Sequence, residues 1–323
     1  MNRRTFYLAL ASVLGASALA MGASAEEFPS KPVKVIIPNP PAGPGDIIAR
    51  AFAERATKIL GQTLVFEYKP GATTTLGTNM VVRSKPDGYT ILGFPSSGLT
   101  ATLLEKNVPY KLREDLRPII GLGSVPLALV VRSSLNVRTL NDFTALARKG
   151  GLNYGSAGTG TLGHLSAAAL LNEIGATATH VPYRGNPDVM MAVAGGQVDF
   201  FFGSVADATT AESGGEITVL AVTSNRRAKM LENVPTMAEL GHPDFNPKLW
   251  YAFLAPKQTP TDRVMRLYAA FAEAGKDPST PNQLDKLGFS VEIRGPDELS
   301  KMMDDETTRW KHVIEKNKIT LGN

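Results

Sequence analysis

Cysteine is absent from the 323 residues. That excludes disulfides, thiolate nucleophiles and Cys-ligated metals, and it removes the lipid-bearing cysteine of an anchored bacterial lipoprotein. Histidine is scarce, and His164, His180, His242 and His312 have no carboxylate or second histidine at metal-ligand spacing, so no metal and no other cofactor is expected. A hydrolase signature is missing as well. Gly155-Ser156-Ala157-Gly158 and Ser96-Ser97-Gly98 set serines beside glycines without forming a G-x-S-x-G elbow. Past the N-terminus no stretch approaches the roughly 20 apolar residues of a membrane span. Charge of one sign is lacking too: 34 Lys+Arg face 30 Asp+Glu, scattered without a basic stripe interleaved with aromatics. Nucleic acid is therefore not an expected partner.

What is present begins with an export signal at residues 1–25. Arg3 and Arg4 form a short basic start, Phe6 to Met21 is apolar and rich in small residues, and Ala23-Ser24-Ala25 supplies an A-x-A cleavage site. Asn2-Arg3-Arg4-Thr5-Phe6-Tyr7-Leu8 is similar to a twin-arginine signal, although Asn2 and Tyr7 depart from it, so Sec and twin-arginine export both stay open. A soluble, freely diffusing periplasmic protein follows. Roughly 300 mature residues exceed one ordinary core, which points to two lobes.

Short apolar strands alternate with amphipathic helices almost throughout, the pattern of parallel α/β sheets. Val33 to Ile37 reads as a first buried strand, ending in the proline- and glycine-rich run Pro38 to Gly45, after which Asp46 caps a helix to about Leu60 and Gly61 stops it. A strand at Leu64 to Glu67, a helix through Val82 and a strand at Tyr89 to Phe94 follow. The apolar stretch Val125 to Val131 precedes a fresh series: a capped helix Thr139 to Arg148, a strand Leu152 to Gly155, a helix Gly160 to Ile174 and a strand Thr179 to Tyr183. Asn186-Pro187 opens another helix, and Gln197 to Phe202 and Ile217 to Thr223 supply two more strands. A second apolar crossing, Leu249 to Leu254, leads into helices that return to the first lobe, and Trp310 on the last of them, Asp297 to Lys316, reads as a packing residue. Two crossings that bracket an inserted set of βα units predict a double hinge. Lobe one is assigned 26–127 and 252–323, lobe two 128–251.

Gly158-Thr159-Gly160-Thr161-Leu162-Gly163 is a formal G-x-G-x-x-G after a strand and before a helix. A dinucleotide site also wants an acid about 20 residues on, at the end of the next strand. That strand ends instead in His180-Val181-Pro182-Tyr183-Arg184, so the dinucleotide reading is set aside. What survives is the physics of the turn: glycines admit close approach, and the first-turn amides of the following helix favour an anion. Thr159 and Thr161 add hydroxyls there. The loop from Pro38 to Asp46 occupies the corresponding place in the first lobe, its prolines lowering the ordering cost of binding. Asp199 reads as a strand-end capping acid, and Phe200, Phe201 and Phe202 mostly as core, with Phe202 near a strand end where it could wall a pocket.

At these loops the chain resembles the receptor proteins of tripartite tricarboxylate transporters, often called the Bug family. The matching segments are Phe28-Pro29-Ser30-Lys31-Pro32, Val35 to Asp46, Tyr68-Lys69-Pro70-Gly71-Ala72, Pro86-Asp87-Gly88-Tyr89-Thr90, Leu152 to Gly160, His180 to Gly185, Gly195-Gly196-Gln197-Val198-Asp199 and Val234-Pro235-Thr236. The resemblance implies a two-lobe Venus flytrap of the type II periplasmic-binding-protein kind. Its ligand would be a small organic carboxylate (a di- or tricarboxylic, aromatic or amino acid), held largely by backbone amides and waters at the two βα loops. It would act as a monomer that hands the solute to a membrane permease of two subunits, without ATP and without chemistry of its own. The first loop departs from the usual P-F-P-P-G-G-S-T-D: Asn39 replaces an aromatic, and Pro44 removes an amide and a hydroxyl. Arg184 stands where lysine is frequent, either to grip a second carboxylate or to brace the lobe.

The candidate binding residues in the first lobe are Asn39, Pro41, Ala42, Gly43, Asp46 and Ser96. In the second they are Gly158, Thr159, Gly160, Thr161, His164, Arg184, Phe202 and Asp207. A periplasmic enzyme acting on a similar acid, or a sensory subunit with the same fold, stay open as alternatives at this point.

Overall fold

The computed structural model describes residues 27–212 and 214–321, so the expected export signal at 1–25 lies outside the described residues. Strands and helices alternate as anticipated. β1 (Val33–Ile37) leads through the proline-rich loop into α1 (Pro44–Leu60), followed by β2 (Leu64–Tyr68), α2 (Thr75–Val82), β3 (Thr90–Pro95) and α3 (Ser96–Leu104). A single turn, α4 (Leu112–Asp115), enters the long strand β4 (Leu116–Arg132). Then come α5 (Leu140–Ala147), β5 (Leu152–Ser156), α6 (Leu162–Ile174), β6 (Ala178–Pro182), α7 (Asn186–Ala194), β7 (Phe200–Ser204), α8 (Val205–Glu212) and β8 (Ile217–Val222). β9 (Lys248–Pro256), α9 (Thr261–Lys276), α10 (Ser279–Asp285), β10 (Ser290–Arg294) and α11 (Pro296–Lys316) complete the chain.

Two sheets share β4. In the first the order is β2-β1-β3-β9-β4 with β10 on the far side of β4, and β1 runs parallel to β2 and β3. In the second, β4 lies between β8 and β7, and β7, β5 and β6 follow in parallel. β4 changes partners partway: residues up to Pro126 pair with β9, and from Leu127 onward it pairs with β7 and β8. All of β9 pairs in the first sheet, so the boundary expected at 251–252 falls within this strand.

The period of two along each strand sorts side chains between three apolar clusters. Val33, Val35 and Ile37 of β1 pack on one face with α1 and α9, while Ile36 points to the opposite cluster. β9 divides likewise, Tyr251, Phe253 and Ala255 to one side and Trp250, Ala252 and Leu254 to the other. In the second sheet Leu127, Leu129 and Val131 join Phe200 and Phe202, whereas Ala128 and Val130 join Phe201. Strands covered on both faces read as continuous apolar runs, which is why they were visible in the sequence. Trp310 is buried in the cluster that runs beneath both sheets, and α11 packs on β4, α3 and α6.

Local signals explain most helix ends. Thr139 and Asp142 form the reciprocal capping box of α5, and Gly61 closes α1 in the left-handed region at φ 67°. The strand β4 begins at Leu116, well before the expected Val125, and three other boundaries differ for reasons local to the residues. Gly43, not Asp46, is the N-cap of α1, with Pro44 favourably first. α6 starts at Leu162 rather than Gly160, because Gly158 and Gly160 have φ of 130° and 79°. β7 starts at Phe200 because the amides of Gln197 and Val198 turn back to the Ala192 carbonyl.

The pairing of β10 with β4 depends on a missing side chain. A methyl at Gly123 would run into the Ser290 carbonyl oxygen. Gly123→Ala is therefore expected to destabilise the protein by about 1 to 3 kcal/mol, seen as a lower urea midpoint with an unchanged slope. An unaltered midpoint would show that the close approach is not needed.

Candidate functional site

A cavity of about 400 Å³ opens between the two halves, beside the point where β4 changes sheets. One wall comes from the first half: Thr73 after β2, and Ser97, Thr100, Leu104 and Glu105 on α3 and at its end. The opposite wall is the turn after β5 and the start of α6, from Ala157 to Gly163, with Asn186 at the head of α7. Leu127, Phe202 and Leu249 form an apolar floor. Carboxyl ends of strands meet here, where open α/β sheets bind ligands.

The three glycines of the G-x-G-x-x-G string have separate structural reasons, none requiring a dinucleotide. Gly158 and Gly160 take positive φ in the turn, and a Cβ on Gly163 would lie 2.6 Å from the Phe202 carbonyl oxygen. That last contact brings the first turn of α6 against β7. The Thr161 hydroxyl donates to the Gly158 carbonyl at 2.8 Å, tightening the turn.

Beneath the turn lies a pair of histidines distant in sequence. His164 and His180 stack with ring centroids 3.7 Å apart and planes 9° from parallel. The Gly160 amide donates to His164 Nδ1 at 3.0 Å, so the neutral ring carries its proton on Nε2. The Ser156 hydroxyl donates to the Gly158 carbonyl at 2.8 Å. His180 Nε2, 2.7 Å from Ser156 Oγ, must then be the donor of that contact. Ser156 and His180 thus face each other in the wrong sense for a nucleophile and its base, and neither lines the cavity. Burial lowers the His164 pKa to about 3, assisted by the neighbouring His180, and burial lowers His180 to about 4. Both rings are neutral at neutral pH.

With the Gly160 amide committed to His164, the open donors are those of Leu162, Gly163 and His164, the first turn of α6. They have no acceptor among the described residues. Leu162 and Gly163 line the cavity. Three unpaired amides and the positive end of the helix dipole suit a carboxylate.

Placement of the other expected residues is uneven. Thr159, Gly160, Thr161 and Phe202 line the cavity; Gly158 and His164 lie behind them as supports. Asp207 is one step removed, accepting from Asn186 Nδ2 at 2.7 Å. Ser96 is buried and its hydroxyl accepts from the Trp250 amide, so its neighbour Ser97 takes the cavity position. Arg184 is exposed and outside the cavity wall. Asn39, Pro41, Ala42, Gly43 and Asp46 do not line it either. Asp46 is buried and fully used: Oδ2 accepts the Ala42 amide at 2.9 Å, and Oδ1 accepts Arg50 Nε at 2.8 Å and the Tyr68 hydroxyl at 2.9 Å. Its role here is to lock the proline-rich loop.

Thr73, Ser97, Glu105 and Asn186 were not foreseen. Ala72, Thr73 and Thr74 have φ of 44°, 45° and 78°, three consecutive non-glycine residues in the left-handed region. Such backbone costs about 1 to 3 kcal/mol per residue and gathers at ligand clamps. Nothing in the residue types announced it. Among the described residues no group of three His, Asp or Glu could hold a metal, and no helix is long and apolar enough to cross a membrane.

Comparisons with known proteins bear on the family and the fold. A family model described as "Tripartite tricarboxylate transporter family receptor" matches residues 48–319. A UPF0065 protein from the tcbD-tcbE intergenic region of Pseudomonas sp. strain P51 is 32% identical over 312 residues, 94% of this chain and 93% of that protein. A crystal structure of a TctC solute binding protein from Polaromonas, without ligand, superposes with a TM-score of 0.79 at 30% identity, covering 90% of this chain and 99% of that one. Rpa4515 of R. palustris, solved with adipate, gives 0.74 at 28% identity, over 91% and 99%.

The histidine pair makes stability depend on pH with a definite sign. Below the ordinary histidine value of 6.5 the unfolded chain takes up protons at both positions, while the folded protein resists until about 4 and then about 3. The unfolded state therefore binds more protons across that window, and stability falls as pH drops through it. Replacing both rings by glutamine is expected to flatten this loss in thermal melts across the window. Equal slopes for the two proteins would show that the pair is not neutral in the fold.

Proposed function

The chain belongs to the tripartite tricarboxylate transporter receptor family, and from that membership we propose that its solute's carboxylate sits on the first-turn amides of α6. It is a periplasmic solute receptor, not an enzyme: it captures a small carboxylate and delivers it to a tripartite tricarboxylate-type transporter. The two-lobe Venus flytrap fold is that of the family.

One observation carries the placement of the carboxylate. Among the described residues, the amides of Leu162, Gly163 and His164 are left without acceptors where the helix meets a cavity lined by no lysine or arginine. An anion held by a fixed array of amides loses no side-chain entropy on binding, and the neutral histidines beneath keep the array rigid. Thr159 and Thr161 flank it, and Phe202 and the two leucines of the floor cover the carbon skeleton. The lobes expected at 26–127 with 252–323 and at 128–251 are proposed with the second boundary moved to the chain entering β9, since all of that strand pairs in the first sheet, and with the hinge there and within β4. The proposed partners are the two membrane permease subunits, met by a monomeric receptor freed from its leader at 1–25. The loop from Asn39 to Asp46 is proposed as a rigid rim of the first lobe, and Arg184 as a surface group of the second.

The amide array is testable without disturbing the helix. Thr161 is extended at φ −65° and ψ 159°, and Leu162 is the first helical residue, where proline is well accommodated. Leu162→Pro removes one donor; Leu162→Ala removes the side chain and keeps the donor. One hydrogen bond to a charged group is worth about 1.5 to 3 kcal/mol. Calorimetry against a panel of di- and tricarboxylic, aromatic and amino acids is expected to show the proline variant binding about tenfold to a hundredfold more weakly than the alanine variant. Equal affinities would remove the α6 amides from the site.

A further inference from the structure

Glu105 is the one ionisable side chain lining the cavity. It is half-buried, it forms no ion pair among the described residues, and its hydrogen-bond contact is the Thr75 hydroxyl at 3.5 Å. An unneutralised carboxylate in the wall of a site for carboxylates calls for an explanation, since like charges brought together in a closed cleft repel.

The setting of Glu105 supplies one. It is the C-cap of α3, so its charge adds to the negative end of that helix, while the opposite wall offers the positive end of α6. The cavity therefore has a negative pole in one half of the molecule and a positive pole in the other, separated by Leu104, Leu127, Phe202 and Leu249. One hydroxyl on the Glu105 wall reinforces the negative character: Thr100 donates to the Ser97 carbonyl, which leaves its oxygen with lone pairs to offer.

We infer that the solute is an acid bearing a cationic amino group, with its carboxylate on the α6 amides and its ammonium against Glu105, which acts as the specificity residue of the cavity. This rests on the reading of the cavity as a carboxylate site. A plain dicarboxylate of equal length would set its second carboxylate against Glu105 and be disfavoured. Only closure of both poles at once satisfies the two ends, so the same arrangement links recognition to the approach of the lobes.

The test is calorimetry on the full chain with amino acids and aminomethylbenzoates, whose alkylammonium groups are cationic at neutral pH, each paired with the same acid lacking its amino group. The amino-bearing member of the best-binding pair is expected to bind at least tenfold tighter. Glu105→Gln is expected to shrink that ratio at least tenfold, by loosening the amino acid and tightening the plain acid, while Glu105→Asp retains the preference. Glu105 is partly exposed, so both variants are expected to keep the wild-type melting temperature within a few degrees. A tighter plain acid in the wild type, or a ratio untouched by Glu105→Gln, overturns the inference and leaves the carboxylate reading standing. Failure of every acid to bind overturns both.

Discussion

A single strand, β4, has to be apolar on both faces and still change sheets partway, and the rest of the architecture hangs on that constraint. Its residues are buried from Pro118 through Val131, because α9 and α11 cover it in the first sheet, and in the second α7 and α8 pack on it while Leu127, Leu129 and Val131 join the apolar cluster on the other face. Pairing passes from β9 to β7 and β8 between Pro126 and Leu127. Thr223 secures the junction: its hydroxyl accepts the Leu127 amide at 2.8 Å and donates to the Pro247 carbonyl at 2.6 Å, tying β4 to the chain entering β9. Both crossings are thus bound at one buried hydroxyl, and the cavity opens directly beside it. Relative motion of the halves would have to be absorbed within a few residues of that point, as hinges usually require.

The same economy of charge governs the site. A conventional anion site would place arginine or lysine against the carboxylate, and none lines this cavity. Positive potential comes from a helix terminus whose turn is braced by neutral groups: two stacked imidazoles, a serine hydroxyl and a threonine hydroxyl. Protonating His164 would put a hydrogen on the Nδ1 that accepts the Gly160 amide, so keeping that ring neutral by burial preserves the geometry of the turn. Fixed dipoles that bind without reorganising suit a receptor that has to release its cargo as well as hold it. The negative wall at Glu105 then supplies discrimination that an amide array alone lacks, because amides accept any carboxylate.

Legibility in the sequence followed the number of independent cues. Val33–Ile37, Leu152–Ser156 and Ile217–Val222 are short apolar runs bounded by turn residues, and each is a strand within a residue or two of its expected position. The first half of β4 was hidden, since Pro118, Gly121 and Gly123 break the apolar run before Val125; they flank the two register shifts in the pairing with β9. α3 gave no cue because Ser96-Ser97-Gly98 looks like a loop, whereas in the fold Gly98 is needed so that Phe94 and Thr74 can press against the helix. At the cavity, the glycine-rich turn that lines it was readable from local chemistry. The stacking of His164 on His180 and the arrival of Glu105 at the cavity were not, because both depend on tertiary contacts across many residues.

The two departures in the first loop illustrate the difference between a residue that matches a binding motif and one that binds. Pro44 removes an amide, yet it falls at the first position of α1, where no intrahelical hydrogen bond is lost. Asn39 replaces an aromatic at a position that does not line the cavity. What holds the loop is Asp46, whose carboxylate consumes the Ala42 amide and is itself neutralised by Arg50 and hydrogen-bonded by Tyr68. An amide already donated to a buried carboxylate has no hydrogen left for a ligand, and a second carboxylate beside Asp46 would meet repulsion. Substitutions in this loop can therefore accumulate wherever the Asp46 network survives, while the turn before α6, with its unpaired amides and crowded glycines, has far less freedom to vary.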